Sequence, residues 1–392
     1  MVGSWRDQSM RIVFLSSAYL PHVGGIEVLL QQVSAELRGR GHEVVIVTAD
    51  APAGSTSDLD ECIDGVMVHR FDLTSVRGAR SARELVRHQR RLSSIYRCVR
   101  PDVVHSHEVG MLLWLHQAST RSRPVPTVVS LHTVLGAHMG GDPSVLSALG
   151  RLLVRADAVM AVSAAVADDV ARFAPSVGSV EVVPNGVQPP PGEPVERDPR
   201  LLVAVGRLES PKLFGLAIDA MVHVRESFAD ARLVIAGSGP DEAALRCQIR
   251  RLGLGDTVEL LGRVEQTGVR SLMAQASMLV MPTRYEGLPL VAIEAAWAGT
   301  PVVGSAVAGL AEVVEHGRTG VLVDGFEPRD FARAITELMG SPDRARALGC
   351  AARERAEQRF GLAQCVTRFE DMYQQVIDRH GNRAVDRGGT SE

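Results

Sequence analysis

The stretch Met278–Gly299, MLVMPTRYEGLPLVAIEAAWAG, runs from an apolar strand through a short loop into a helix. Met278–Met281 is continuously apolar, as in a strand buried on both faces, whereas a half-wet strand alternates. The loop that follows carries Glu286. Pro289 suits a first helical turn, because its missing N–H is one that a helix start leaves unpaired. The spacing predicts a helix to about Ala298, stopped at Gly299.

The same grammar repeats on both sides of this stretch. In the first half, strand candidates fall at Ile12–Leu15, Val44–Thr48, Val66–Phe71, Val103–His105, Thr127–Leu131, Ala158–Val162 and Val180–Val183. In the second half they fall at Leu201–Val205, Leu233–Ala236, Val258–Leu261, Met278–Met281, Val302–Val303 and Val321–Val323. Strands spaced by helices indicate an α/β protein with parallel, doubly wound sheets. One interruption stands out. Pro189-Pro190-Pro191-Gly192 and Pro194 cannot continue a helix or a central strand. The chain is therefore expected to hold a Rossmann-like domain over 10–185, a Pro-rich linker over 186–200 and a second Rossmann-like domain over 201–360. A helix over 361–380 and a disordered tail over 381–392 follow. Two such domains facing each other across a cleft would place a ligand at the C-terminal ends of their strands.

The 392 residues suffice for two domains, and 45% apolar with 22% charged residues is ordinary for a soluble protein. A net charge of −4 argues against wrapping nucleic acid. Cys62, Cys98, Cys247, Cys350 and Cys365 are scattered, odd in number and without a CxxC pair, which points to reduced thiols rather than zinc or a disulfide framework. Met1–Ser9 lacks an apolar signal region and no apolar run reaches membrane-spanning length, so a cytoplasmic location is expected. Lys212 is the single lysine beside 41 arginines, which suggests a chemical need for an ammonium there.

Several motifs sit at strand ends. Glu286 and Glu294 flank the start of the helix described above. Eight helical residues span about 12 Å, so two carboxylates at this spacing could hold the two ends of a nucleotide sugar. Unpaired N–H groups at Leu288 and Leu290 would face its phosphates. Gly206-Arg207-Leu208-Glu209-Ser210-Pro211-Lys212 offers a guanidinium fork and an ammonium after another strand, a metal-free way to stabilise a departing diphosphate. Gly237 and Gly239 in AGSGP, and Gly24 and Gly25 in Pro21-His22-Val23-Gly24-Gly25-Ile26-Glu27, permit close backbone approach. His107 and His132 end two strands and could hydrogen-bond a sugar hydroxyl. Asp58-Leu59-Asp60 resembles a DxD metal motif but reads as a polar loop, and no metal site or cofactor is expected. Eight arginines between Arg77 and Arg100 read as a solvated helix face rather than a membrane patch.

In this order, these motifs, together with DVVHSH, Ala161-Val162-Ser163, Val183-Pro184-Asn185-Gly186-Val187, LLGRV and Ala298-Gly299-Thr300-Pro301, resemble the family-four retaining glycosyltransferases of GT-B fold. The resemblance covers about Met10 to His380. It implies that Arg207 and Lys212 bind the donor diphosphate, that Glu294 binds the ribose and that Glu286 binds the transferred sugar. Gly287, Leu288, Pro289 and Leu290 would line the donor site, and backbone near Val264 would read the base. The Gly24-Gly25 loop would close over the phosphates, and His132 would lie near the anomeric carbon. It implies front-face retention without a covalent nucleophile, and a last helix that crosses back to the N-terminal domain. The residue after the lysine is usually glycine in that family, and here it is Leu213. The expected partners are a UDP- or GDP-sugar and a small polar acceptor such as an aminoglycoside antibiotic intermediate, held by His107 and His132, with no stable membrane association. A phosphoinositide mannosyltransferase and a nucleotide-sugar 2-epimerase are the alternatives.

Overall fold

The computed structural model describes residues 9–22, 24–50, 59–73, 81–138, 140–190 and 195–388. Most of the leader Met1–Ser9, the linker residues Pro191, Gly192 and Pro194, and Asp58, Arg77 and Arg80 lie outside them. The chain divides into two compact units, Met1–Pro184 with Leu362–Glu392, and Asn185–Gly361.

Among the described residues, the first unit holds β1 (Arg11–Ser16), β2 (Glu43–Thr48), β3 (Leu59–Ile63), β4 (Val66–Arg70), β5 (Val103–Ser106), β6 (Thr127–Leu131), β7 (Ala158–Ala161) and β8 (Val180–Val182). Their order across the sheet is β3-β4-β2-β1-β5-β6-β7-β8. All pairings are parallel except β3 with β4. β6 is buried at every position, because helices cover both faces of a parallel sheet. The strand order reverses between β1 and β5. The loops after these two strands therefore leave the sheet edge in opposite directions and open a crevice at its C-terminal rim.

β3 corrects the polar loop expected around Asp58-Leu59-Asp60. It is a short antiparallel edge strand, mostly exposed, with Asp60 and Glu61 charged at its centre; charges protect sheet edges and hide them from apolar-run reading. Asp60 is held there by His69 at 2.8 Å and by Arg91.

The second unit holds β9 (Asp198–Val205), β10 (Arg232–Ala236), β11 (Val258–Gly262), β12 (Ala276–Met281), β13 (Val302–Ser305) and β14 (Gly320–Val323). All are parallel, in the order β11-β10-β9-β12-β13-β14. Leu202, Ala204, Leu233, Ile235 and Met278 form its core with Ile218, Met221, Phe331 and Ile335 from covering helices. Here the order reverses between β9 and β12.

The last helix, Leu362–Gly388, packs on the first unit. Leu362, Cys365, Val366, Phe369, Met372, Tyr373 and Val376 recur at spacings of three and four and are all buried. Glu370 ties it to Arg40 at 2.7 Å and His42 at 2.9 Å. The helix passes His380 and continues to Gly388, where the sequence reading placed a disordered tail. Once nucleated, extending a helix over Arg383, Ala384 and Val385 adds a hydrogen bond per residue, so an unremarkable composition suffices. Residues 389–392 lie outside the described residues.

Candidate active site

In the second unit, the loops after β9 and β12 meet at the reversal of strand order. After β9 the chain turns through Gly206-Arg207-Leu208 into a short 3-10 turn, Ser210–Lys212. After β12 it forms the Pro282–Pro289 loop and then the helix Leu290–Trp297, with Pro289 one position before the first turn. The two loops are tied by the backbone. Arg284 N–H donates to the Pro211 carbonyl at 2.9 Å, and the Thr283 hydroxyl reaches the same oxygen at 3.2 Å. Their side chains then converge: Lys212 Nζ lies 2.6 Å from Glu286 Oε1, to which Thr283 Oγ1 also donates at 3.1 Å. Glu286 is only 8% exposed, so its carboxylate is held in place before any ligand arrives. Arg207 is exposed and paired with Glu209 at 2.6 Å.

Leu213 ends the turn at φ 45 and ψ 36, in the left-handed region. The turn thus keeps the shape a glycine would adopt, and the leucine bears the steric cost of its Cβ there.

The glycines Gly237 and Gly239 serve close packing of the chain on itself. A Cβ at Gly237 would overlap the Gly206 carbonyl oxygen, and one at Gly239 that of Leu208. They let the turn after β10 support the Arg207 loop from beneath. Gly309 does the same for the other loop, since a Cβ there would overlap the carbonyl oxygens of Glu286 and Gly287. Leu288 is 6% exposed, and the leading N–H groups of the Leu290 helix have no partner within their own helix.

Glu294 stands on that helix and accepts a hydrogen bond from Gln266. Burial pushes its carboxyl up to about 7, against the opposing pull of the Gln266 amide and the Arg270 charge. Val264 sits between β11 and the helix that starts at Gln266, half-buried. Gln266 thus links the stretch expected to read a base to the carboxylate expected to hold a ribose. Thr283, Gln266 and Gly309 escaped the sequence reading, because single polar residues and a lone glycine carry no pattern.

In the first unit, His107 follows β5 and His132 follows β6, on neighbouring strands. Nδ1 of His107 lies 3.0 Å from Nε2 of His132. His105 lies beneath, 2.7 Å from both the Tyr373 hydroxyl and Ser130 Oγ. Its ring centroid is 4.0 Å from that of His107. Burial, with the neighbouring imidazoles, holds His105 and His107 well below the ordinary histidine range, and burial pushes His132 down to about 4. All three are neutral near pH 7.

His107, the other histidine expected at the acceptor, is 3% exposed and packs edge-on against Phe14 and Phe369 beside His132. Gly24 is the residue before the helix Gly25–Gly39, whose first turn carries Glu27. The Glu27 carboxylate folds back so closely that a Cβ at Gly24 would come within 2.5 Å of it.

Among the described residues no His, Cys, Asp and Glu cluster could hold a metal ion, and no helix is long and apolar enough to cross a membrane.

Residues 23–189 match the family described as Glycosyltransferase Family 4, and residues 191–355 match Glycosyl transferases group 1. Glycogen synthase of Mycobacterium tuberculosis is 31% identical over 93% of this chain and 94% of its own length. D-inositol 3-phosphate glycosyltransferase 2 of Catenulispora acidiphila is 29% identical over 91% of each chain. Among solved structures, Anabaena HepE in complex with UDP and glucose superposes with a TM-score of 0.77 at 20% identity, covering 93% of this chain and 99% of that one.

Proposed function

Since the chain belongs to the family-four glycosyltransferases, a nucleotide-sugar-dependent family, we propose that it transfers a hexose or amino-hexose with retention, without a metal ion, to a hydroxyl of a small polar acceptor. The observation that carries this reading is the meeting of Lys212 and Glu286 at the strand-order reversal of the second unit, 2.6 Å apart. There, a cation suited to diphosphate and a carboxylate suited to sugar hydroxyls come from two separate loops.

In the proposed reaction, the bond from the sugar's anomeric carbon to the diphosphate oxygen breaks. The acceptor oxygen bonds to the same face, and its proton passes to the leaving phosphate. Lys212 and Arg207 stabilise the charge that develops on the diphosphate, so their effect is greatest in the transition state. The N–H groups at the start of the Leu290 helix add to that field. Glu294 accepts from the ribose, and backbone at Val264 contacts the base. Gly24 and Gly25 approach the phosphates, and His132, neutral, hydrogen-bonds a sugar or acceptor hydroxyl.

A uridine donor is favoured by the UDP found with HepE, and GDP is the alternative. A hydroxyl-rich acceptor is favoured by the relative that acts on D-inositol 3-phosphate; aminoglycoside intermediates belong to the same chemical class. A panel of UDP- and GDP-sugars, read by nucleoside diphosphate release with and without pooled cyclitols, sugars and aminoglycosides, tests the reading. Release should require both one donor and one acceptor. A donor converted to its epimer with no acceptor present would replace transfer by isomerisation.

One observation favours a second reading. Val86, Met111 and Trp114 are exposed on two packed helices of the first unit that also expose Arg83, Arg87 and Arg90. Exposed basic and apolar side chains on neighbouring helices suit an anionic bilayer, as a lipid-directed mannosyltransferase would need. Salt-sensitive sedimentation with anionic liposomes separates the two.

A further inference from the structure

Arg70 closes β4 and is fully buried, at 0% exposed. A buried guanidinium loses its hydration, so its partners must account for it. Nε donates to the Glu61 carboxylate, and Nη1 donates to Asp50 Oδ1 at 2.8 Å and to the Asp50 carbonyl at 3.3 Å. Two carboxylates would already balance the charge. The remaining arm, Nη2, leaves the sheet and donates to the Leu20 carbonyl. Asp50 reaches the same way: Oδ1 accepts from Thr48 Oγ1 at 2.6 Å, while Oδ2 accepts from Tyr19 N–H at 3.0 Å and lies 3.5 Å from His22 Nε2.

The ion pair therefore grips two successive residues of one loop, the N–H of Tyr19 and the C=O of Leu20. That loop leaves β1 at the strand-order reversal and delivers Gly24 to the start of the helix Gly25–Gly39. We propose that Arg70 and Asp50 are positioning residues that fix Tyr19–His22, ahead of Gly24 and Gly25, in the conformation the donor's phosphates require. The inference rests on the functional reading given above. Arg70 touches no substrate. It acts through the loop, and a guanidinium fork is needed because three partners in different directions must be held at once.

The test uses the intact protein and two conservative variants. Asp50→Asn keeps an oxygen for the Tyr19 N–H and removes the charge that orients Arg70. Arg70→Lys keeps the charge and cannot span Glu61, Asp50 and Leu20 together. For each, UDP and GDP binding is measured by calorimetry, turnover by nucleoside diphosphate release, and folding by circular dichroism. The inference expects kcat to fall about tenfold or more, since small misplacement of a contact made in the transition state is costly. Binding stoichiometry should stay that of the wild type and Kd within about threefold, because the loop's contact is proposed to count most in the transition state while Arg207, Lys212 and Glu294 hold the nucleotide in the ground state. Wild-type kcat in both variants would overturn it. So would parallel loss of kcat, binding stoichiometry and helical signal, which marks a purely structural ion pair. Failure of the wild-type protein to bind either nucleotide would instead overturn the functional reading, and this inference with it.

Discussion

The two units reverse their strand order once each, and the two reversals carry opposite chemistry. At β9/β12 the rim is charged: Arg207, Lys212 and Glu286, with a carboxylate against each cation. At the β5 side of the first reversal and the adjoining β6 the lining is neutral imidazoles and aromatic rings, His105, His107 and His132 beside Phe14 and Phe369, while the loop after β1 is held from behind by the Arg70–Asp50 pair. The fold supplies the same kind of crevice twice, and the residues on its rim decide what each can hold. Fixed cations suit a leaving diphosphate, whereas neutral donors and acceptors suit hydroxyl groups.

The largest expected effect breaks the charged side. Lys212→Ala should lower kcat by on the order of a hundredfold, as for loss of an electrostatic contact made in the transition state. Lys212→Arg should restore only part, since a planar fork does not place its charge where an ammonium does. Full turnover in the alanine variant, measured by nucleoside diphosphate release, would remove the role of the single lysine.

The next prediction separates the units by pH. In the free protein Glu294 titrates near 7, raised by burial. Its ionised form is the better acceptor for ribose hydroxyls, so donor KM should rise as pH falls through about 7, approaching tenfold per unit below it. Glu294→Gln should remove this limb and leave a raised, flat KM, the signature of lost uniform binding. Burial holds His105 and His107 well below the ordinary histidine range and His132 at about 4, so these three should add no limb between pH 6 and 8. A limb near 6.5 that survives Glu294→Gln and is lost in Glu294→Gln/His132→Gln would contradict the neutral-imidazole rim.

The smallest effect is local. Leu213 holds a left-handed conformation, and Leu213→Gly should stabilise the second unit by about 1 kcal/mol in chemical unfolding, with kcat unchanged. Destabilisation would mean that the leucine's packing outweighs its backbone strain.

The sequence was most readable where physics leaves periodic or directional marks. Buried parallel strands are continuous apolar runs, so β9, β10 and β12 stood out, and with them the loops at their ends that carry Arg207, Lys212 and Glu286. That Lys212 and Glu286 touch follows from strand order, which no local pattern encodes. β3 was missed because an exposed edge strand resembles a polar loop. The Gly237 and Gly239 pair was readable as a site of close approach, but what approaches is the chain's own backbone at Gly206 and Leu208. The link from His105 to Tyr373 spans 268 positions, and Arg70 lacks any motif. Both depend on tertiary packing that single residues do not announce.

The central claim, that the charged reversal of the second unit binds the nucleotide end of the donor without a metal, is tested most directly by titration calorimetry. Wild type and Lys212→Ala are titrated with UDP and with GDP in buffer containing EDTA. The account predicts that one of the two nucleotides binds the wild type, one per chain, and that the variant binds it about tenfold or more weakly, as expected for losing a charge-assisted phosphate contact. Binding that appears only after Mg²⁺ or Mn²⁺ is added, or equal affinity in the variant, would contradict it.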